Sequence, residues 1–173
     1  EGQRRATVRC VAGDVGELRH TVIVVAGDDS AVAALDVGAP PVVSLNLVID
    51  EIDYDQPGAD TQEFVEILNV GPLAPLDGVY LELYDGAGRG TVGEVALSDA
   101  AAALQPGERL VVGQPDVLAL LAPETPSALL PVALENGPDA VRVVHRAAGS
   151  VEVLDAIAYE GAIDGQGEGR VSG

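Results

Sequence analysis

Apolar and polar positions alternate over short stretches of the chain, with a period of two, and glycine, proline, asparagine and aspartate interrupt them at close intervals. That pattern predicts strands rather than helices. The segment ATVRCVA over 6–12 and the segment HTVIVVA over 20–26 read as two strands joined by the Gly13-Asp14-Val15-Gly16-Glu17 turn, forming an N-terminal β-hairpin. The hairpin belongs either to the domain that follows or to the end of a preceding one. Residues 31–41 are small, apolar and proline-terminated, and read as a linker or an edge segment.

From Val42 the strands succeed one another: 42–49 leading into Asp50-Glu51-Ile52-Asp53-Tyr54-Asp55, then 64–68, 79–84, 91–97, 109–113, 132–134, 140–145 and 151–159. Ser98-Asp99 is placed to cap a brief Ala-rich helical turn. Residues 115–121 predict a short helix, with Val117, Leu118 and Leu121 on one face and Pro123 and Pro126 limiting its length. The run 161–173, with five glycines, reads as a flexible connector. Short strands without long alternating helices predict an all-β fold, an antiparallel β-sandwich rather than a doubly wound sheet. The domain reading is 1–41 for the hairpin and linker, 42–161 for the sandwich and 162–173 for the C-terminal connector.

Composition sharpens this picture. The chain has 173 residues, enough for a sizeable core, and an apolar fraction of 47% that argues against disorder. With one Phe, four Tyr and no Trp or Met, that core is built from Val, Leu, Ile and Ala. The formal net charge is -19, and all nine basic residues are arginine. Such a surface repels phosphate backbones, so no direct nucleic-acid contact is expected. No apolar run reaches transmembrane length and no signal peptide is visible. The single Cys10 excludes an internal disulfide framework, and His20 and His145 are too few for a His-rich metal centre. Cys10 reads as a buried small hydrophobe.

The order of segments resembles the lamin-tail domain family over roughly residues 43–161. The resemblance rests on LVIDEIDYD at 47–55 followed by DTQEFVEILN at 60–69, LDGVYL at 76–81, LQPGERLVV at 104–112, NGPDAVRV at 136–143 and VLDAIAY at 153–159. Asp50 stands where the family commonly has asparagine, and Val79 where it usually has tryptophan. The resemblance implies an immunoglobulin-like sandwich of the bacterial, extracellular type. It also implies a noncatalytic accessory module of a secreted or surface protein, extracellular or on the cell surface, that contacts a protein or cell-surface component or spaces a neighbouring domain. More weakly, 6–27 resembles the last hairpin of an extracellular immunoglobulin-like repeat, which implies that Cys10 has a partner outside the given sequence.

The candidate chemistry is acidic. Asp50, Glu51, Asp53, Asp55, Asp60, Glu63 and Glu66 form the densest group, and on an extended strand Glu51, Asp53 and Asp55 share a face while Asp50 lies on the other. Hard oxygen ligands at a strand end and turn suit calcium, so Glu51, Asp53, Asp55 and Asp60 are the candidate ligands of a calcium-stabilised adhesion or carbohydrate-contact module. The spacing is not that of an EF-hand loop. The competing reading is a solvated, repulsive edge, with Glu51 or Glu66 hydrogen-bonding backbone groups to hold a loop.

No catalytic residue and no required cofactor is expected. Paired carboxylates can act as acid and base in a cleft, but few aromatic residues are available to stack sugars or bases, and His145 has no nucleophile-elbow pattern near it. Gly86, Gly88 and Gly90 read as turn glycines without the lysine of a phosphate loop. Arg9, Arg142 and Arg146 read as too scattered for a basic patch.

Overall fold

The computed structural model describes residues 20–26, 29–35, 44–88, 90–163 and 170–172, and side chains over 44–88 and 90–163. The chain divides into two compact units, Glu1–Val42 and Val43–Gly173.

In the first unit β1 (His20–Ala26) pairs antiparallel with β2 (Asp29–Leu35), His20 opposite Leu35 and Ala26 opposite Asp29. The expected first strand over 6–12, with Cys10, lies outside the described residues. Among the described residues β1 pairs with the start of the segment read as a linker or an edge segment, whose Ala-Val-Ala-Ala-Leu run sustains an extended pairing.

The second unit is all-β. Its strands are β3 (Leu47–Asp53), β4 (Phe64–Asn69), β5 (Ala74–Pro75), β6 (Val79–Asp85), β7 (Gly90–Ala96), β8 (Ala103–Leu104), β9 (Arg109–Gly113), β10 (Ser127–Leu129), β11 (Asp139–Ala147), β12 (Ser150–Tyr159) and β13 (Arg170–Ser172). One sheet has the order β10-β9-β4-β3, a second the order β13-β12-β11-β6-β7, and β5 with β8 makes a short clasp. The pairs are antiparallel except for β9 with β10 and β12 with β13. A single turn of α1 (Pro115–Leu118) starts at a proline, whose missing N–H costs nothing there.

Alternation builds the core. Val65 and Ile67 of β4, Leu110 and Val112 of β9 and Leu47 and Ile49 of β3 face Val79, Leu81 and Leu83 of β6, Val141 and Val143 of β11 and Ile157 and Tyr159 of β12 in one apolar cluster. Each such aliphatic side chain contributes about 1.5–3 kcal/mol when fully buried. A register shift between Ile49 and Glu51 leaves Asp50 as an extra residue in β3. The bulge reverses the phase of the strand, so Ile52 packs on the core while Glu51 and Asp53 pair with Glu66 and Phe64 on the outer face.

Several expected elements differ. Residues 132–134 are not a strand; β10 lies earlier, at Ser127–Leu129, and Leu134 turns inward to a polar anchor rather than joining a ladder. Ser98 and Asp99 do not cap a helix: they lie inside one 3-10 turn, Leu97–Asp99, with no side-chain cap. Within the tail read as a connector, Arg170–Ser172 extends the second sheet beside β12.

Candidate functional site

The acidic segment forms a loop knitted by glutamine. Gln56 donates from Nε2 to Asp53 Oδ1 at 2.8 Å and from its backbone N–H to Asp60 Oδ1 at 3.0 Å, while its own Oε1 accepts from Gln62 N at 3.3 Å. Asp53 is half-buried, and Glu51, Asp55 and Asp60 are exposed. Among the described residues no three or more His, Cys, Asp or Glu are grouped to hold a metal ion. Asp50 and Glu66, on neighbouring strands, both grip Arg109: Nη2 donates to Asp50 Oδ2 at 2.9 Å and Nε to Glu66 Oε1 at 2.6 Å. Glu66 thus holds a guanidinium rather than the backbone of a loop.

Glu63 differs from its neighbours in being only 1% exposed. Its Oε2 accepts from Gln114 Nε2 at 2.6 Å and from the Leu134 N–H at 3.0 Å, and Gln114 N donates to the Glu63 carbonyl at 2.9 Å. Burial raises its pKa above the ordinary carboxylate value, the Leu134 N–H opposes that rise, and the charges of Asp60 and Asp53 add to it. The Tyr159 hydroxyl is also pushed up, chiefly by burial and then by the charges of Asp139 and Glu63. Its ring stacks on Tyr54 with centroids 4.4 Å apart.

Beyond Leu134 a cleft of about 210 Å³ opens between β6, β7 and the segment before β11. Its walls include Leu83, Val92, Val132 and Leu134, and its polar lining is Asp85, Glu135, Asp139 and Tyr159. Asp85 and Asp139 sit directly opposite one another on β6 and β11. Both are buried, and both fasten the β6–β7 turn: Asp139 Oδ1 accepts from Gly86 N at 3.0 Å and Asp85 Oδ1 from Ala87 N at 2.7 Å.

Two further polar anchors escape a sequence reading. Asn69, wholly buried, donates from Nδ2 to the carbonyls of Pro72, Leu104 and Gln105 at 2.7, 3.0 and 3.1 Å and accepts from Gly71 N at 3.0 Å. Asp155 Oδ2 accepts from Ile49 N at 2.8 Å, which ties β12 of one sheet to β3 of the other. The only signal for Asp155 was an acid interrupting an apolar strand, and for Asn69 a polar residue at the inward phase of β4.

On the outer face of the second sheet Arg142 and Arg146 are not scattered. Both bond the buried carboxylate of Glu82, Arg146 at 2.7 Å, and Arg146 also reaches Glu94 at 2.8 Å. The guanidinium of Arg146 lies 4.4 Å over the Tyr80 ring and that of Arg142 5.5 Å over Tyr84. His145 is half-buried on β11. No helix among the described residues is long and apolar enough to cross a membrane. No protein-family model matches the chain, and no curated protein sequence matches it.

Proposed function

We propose that this chain is a noncatalytic accessory module of a secreted or surface protein, lamin-tail-like and immunoglobulin-like in plan, which contacts a protein or surface component or spaces a neighbouring domain. The observation that carries this reading is what three buried carboxylates and the half-buried Asp155 do. Glu63 holds Leu134, Asp139 and Asp85 hold the β6–β7 turn, and Asp155 holds β3. Each accepts from a backbone N–H far away or across a turn, which is the work of fixing loops on a stiff scaffold, and loops held in place are what a contact surface needs. The strand starts support the family part of the reading: Val79, Arg109 and Asp139 each open a strand just after the turn sequences on which the resemblance rests.

The test is retention. Fluorescently labelled protein is mixed with cells of the producing organism, with and without prior protease shaving, and sedimented. Retention that shaving abolishes is the expected result for a protein contact. No retention on either sample removes the contact role and leaves spacing alone.

A further inference from the structure

We propose that the cleft beside β7 is the docking site of a partner protein's extended segment carrying an apolar residue next to a lysine or arginine; this rests on the reading of the chain as a contact module. The first observation is an open edge. Among the described residues β7 is the last strand of its sheet and pairs on one side only, with β6. A register shift sets Gly93 opposite Leu83 and Thr91 opposite Tyr84, so Val92 is the extra residue of a bulge. A bulge re-aims a side chain, and here Val92 lines the cleft while remaining 45% exposed. Val132, 41% exposed, lines the same cleft. Two branched apolar side chains therefore meet water at one opening, and it is the cleft that sets them apart, since Val70, Leu73, Leu120, Leu129, Val151 and Val153 are more exposed but do not line it.

The second observation is that the walls are held. A Cβ on Gly93 would stand 3.1 Å from Pro131 Cγ and 3.2 Å from Val132 Cγ2, so the segment after β10 lies close over β7, and a side chain at 93 would press on it. Leu134, at the other end of that segment, is bonded to Glu63. A site whose walls are fixed before binding avoids part of the ordering cost of association.

Charge and size choose the occupant. Asp85, Glu135 and Asp139 contribute three carboxylates to the lining. Their sign matches the -19 of the chain, which attracts a cationic segment and opposes a second copy of itself. A volume of about 210 Å³ is below the roughly 300–1,000 Å³ of small-molecule sites, and suits one side chain at a time from a segment lying along the edge.

The experiment follows backbone amide resonances of the ¹⁵N-labelled full chain. Three blocked hexapeptides are titrated at about 0.15 M salt, where exposed charges are screened beyond about 8 Å: alternating valine and lysine, alternating valine and glutamate, and lysine only. The valine–lysine peptide is expected to shift residues 90–96 and 132–135 saturably, the other two not. Val132→Asp and Val92→Asp, each checked for an otherwise intact spectrum, are expected to weaken it about tenfold or more. Absence of saturable shifts there, equal shifts with lysine alone, or unchanged affinity in both variants overturns the proposal. Cell retention separates this from the broader reading: Val132→Asp retained as well as wild type defeats the cleft and spares the contact module, whereas wild type not retained defeats the contact module while the titration still judges the cleft.

Discussion

The N–H of Leu134 donates to Glu63 Oε2 at 3.0 Å across 71 residues of sequence, and through it the entry to β4 holds one wall of the cleft. Replacing Glu63 by alanine leaves that N–H and the Gln114 amide short of an acceptor. An unsatisfied buried group costs about 1–3 kcal/mol, so Glu63→Ala is expected to lower unfolding stability by about 2–3 kcal/mol, read from urea titration. The pH dependence has a definite sign. With its folded pKa raised above 4.5, Glu63 holds its proton more firmly in the folded than in the unfolded chain. Its contribution is present in full below the unfolded pKa and is lost as pH rises through the folded one. Glu63→Gln, which can still accept from Leu134, should therefore gain on wild type as pH rises above 4.5. A constant difference between the two proteins across that window would refute the assignment.

Asn69 is the second test of buried polar anchoring. Its Nδ2 serves the carbonyls of Pro72, Leu104 and Gln105, and no other neutral side chain of its size supplies both those donors and the acceptor for Gly71. Asn69→Ala is expected to lose about 2–4 kcal/mol with an unchanged urea m-value. Asn69→Asp should be worse, because a carboxylate would then face three carbonyl oxygens in the core. An aspartate variant as stable as the alanine one would show that water, not the protein, satisfies this corner.

The contrast between what was legible and what was not is physical. Alternation exposed β4 and β6, where the period of two survives in the residue types, while β9, β11 and β12 were legible as short, branched apolar runs between turn residues. It failed at Val132-Ala133-Leu134, where exposed Val132 and buried Leu134 mimic a strand but the backbone of Leu134 is spent on Glu63. It passed over Ser127–Leu129, whose half-exposed side chains carry no pattern. The candidate site was less legible still. Asp155 meets Ile49 across 106 residues, and Glu82 meets Arg142 only because the β6–β11 register puts them opposite. Such pairings follow from sheet order, which local periodicity does not encode.

Glu82 is 5% exposed and bonded to both Arg142 and Arg146, so its charge is paid for by two guanidiniums. Removing one partner of a buried pair leaves an uncompensated charge at about 3–5 kcal/mol. Glu82→Ala is accordingly expected to lose about 3 kcal/mol, mostly through Arg142, whose side chain is the less exposed of the two. Arg146→Ala should lose less, since its guanidinium borders water. If the two substitutions prove equal in urea titration, Tyr80 stacking rather than Glu82 governs this face.

Calcium decides between the two readings of the acidic loop. Asp53 and Asp60 both accept from Gln56 through Oδ1, so an ion taking those oxygens has to replace those bonds and draw in exposed Glu51 and Asp55 from around the loop. That rearrangement opposes binding, and the expectation is that calcium raises the thermal midpoint of chelator-treated protein no more than magnesium at equal ionic strength. A true folded-state site would be conspicuous: ligand at 100 times its dissociation constant adds about 2.7 kcal/mol. A saturable, calcium-specific rise that disappears in Asp53→Asn and Asp55→Asn would overturn the expectation and make the loop the anchor of a calcium-dependent adhesion module. Gln56→Ala sharpens the comparison. It removes the side-chain competitor for Asp53, so a latent site should bind calcium more tightly in that variant, whereas a merely solvated acidic rim should respond to neither change.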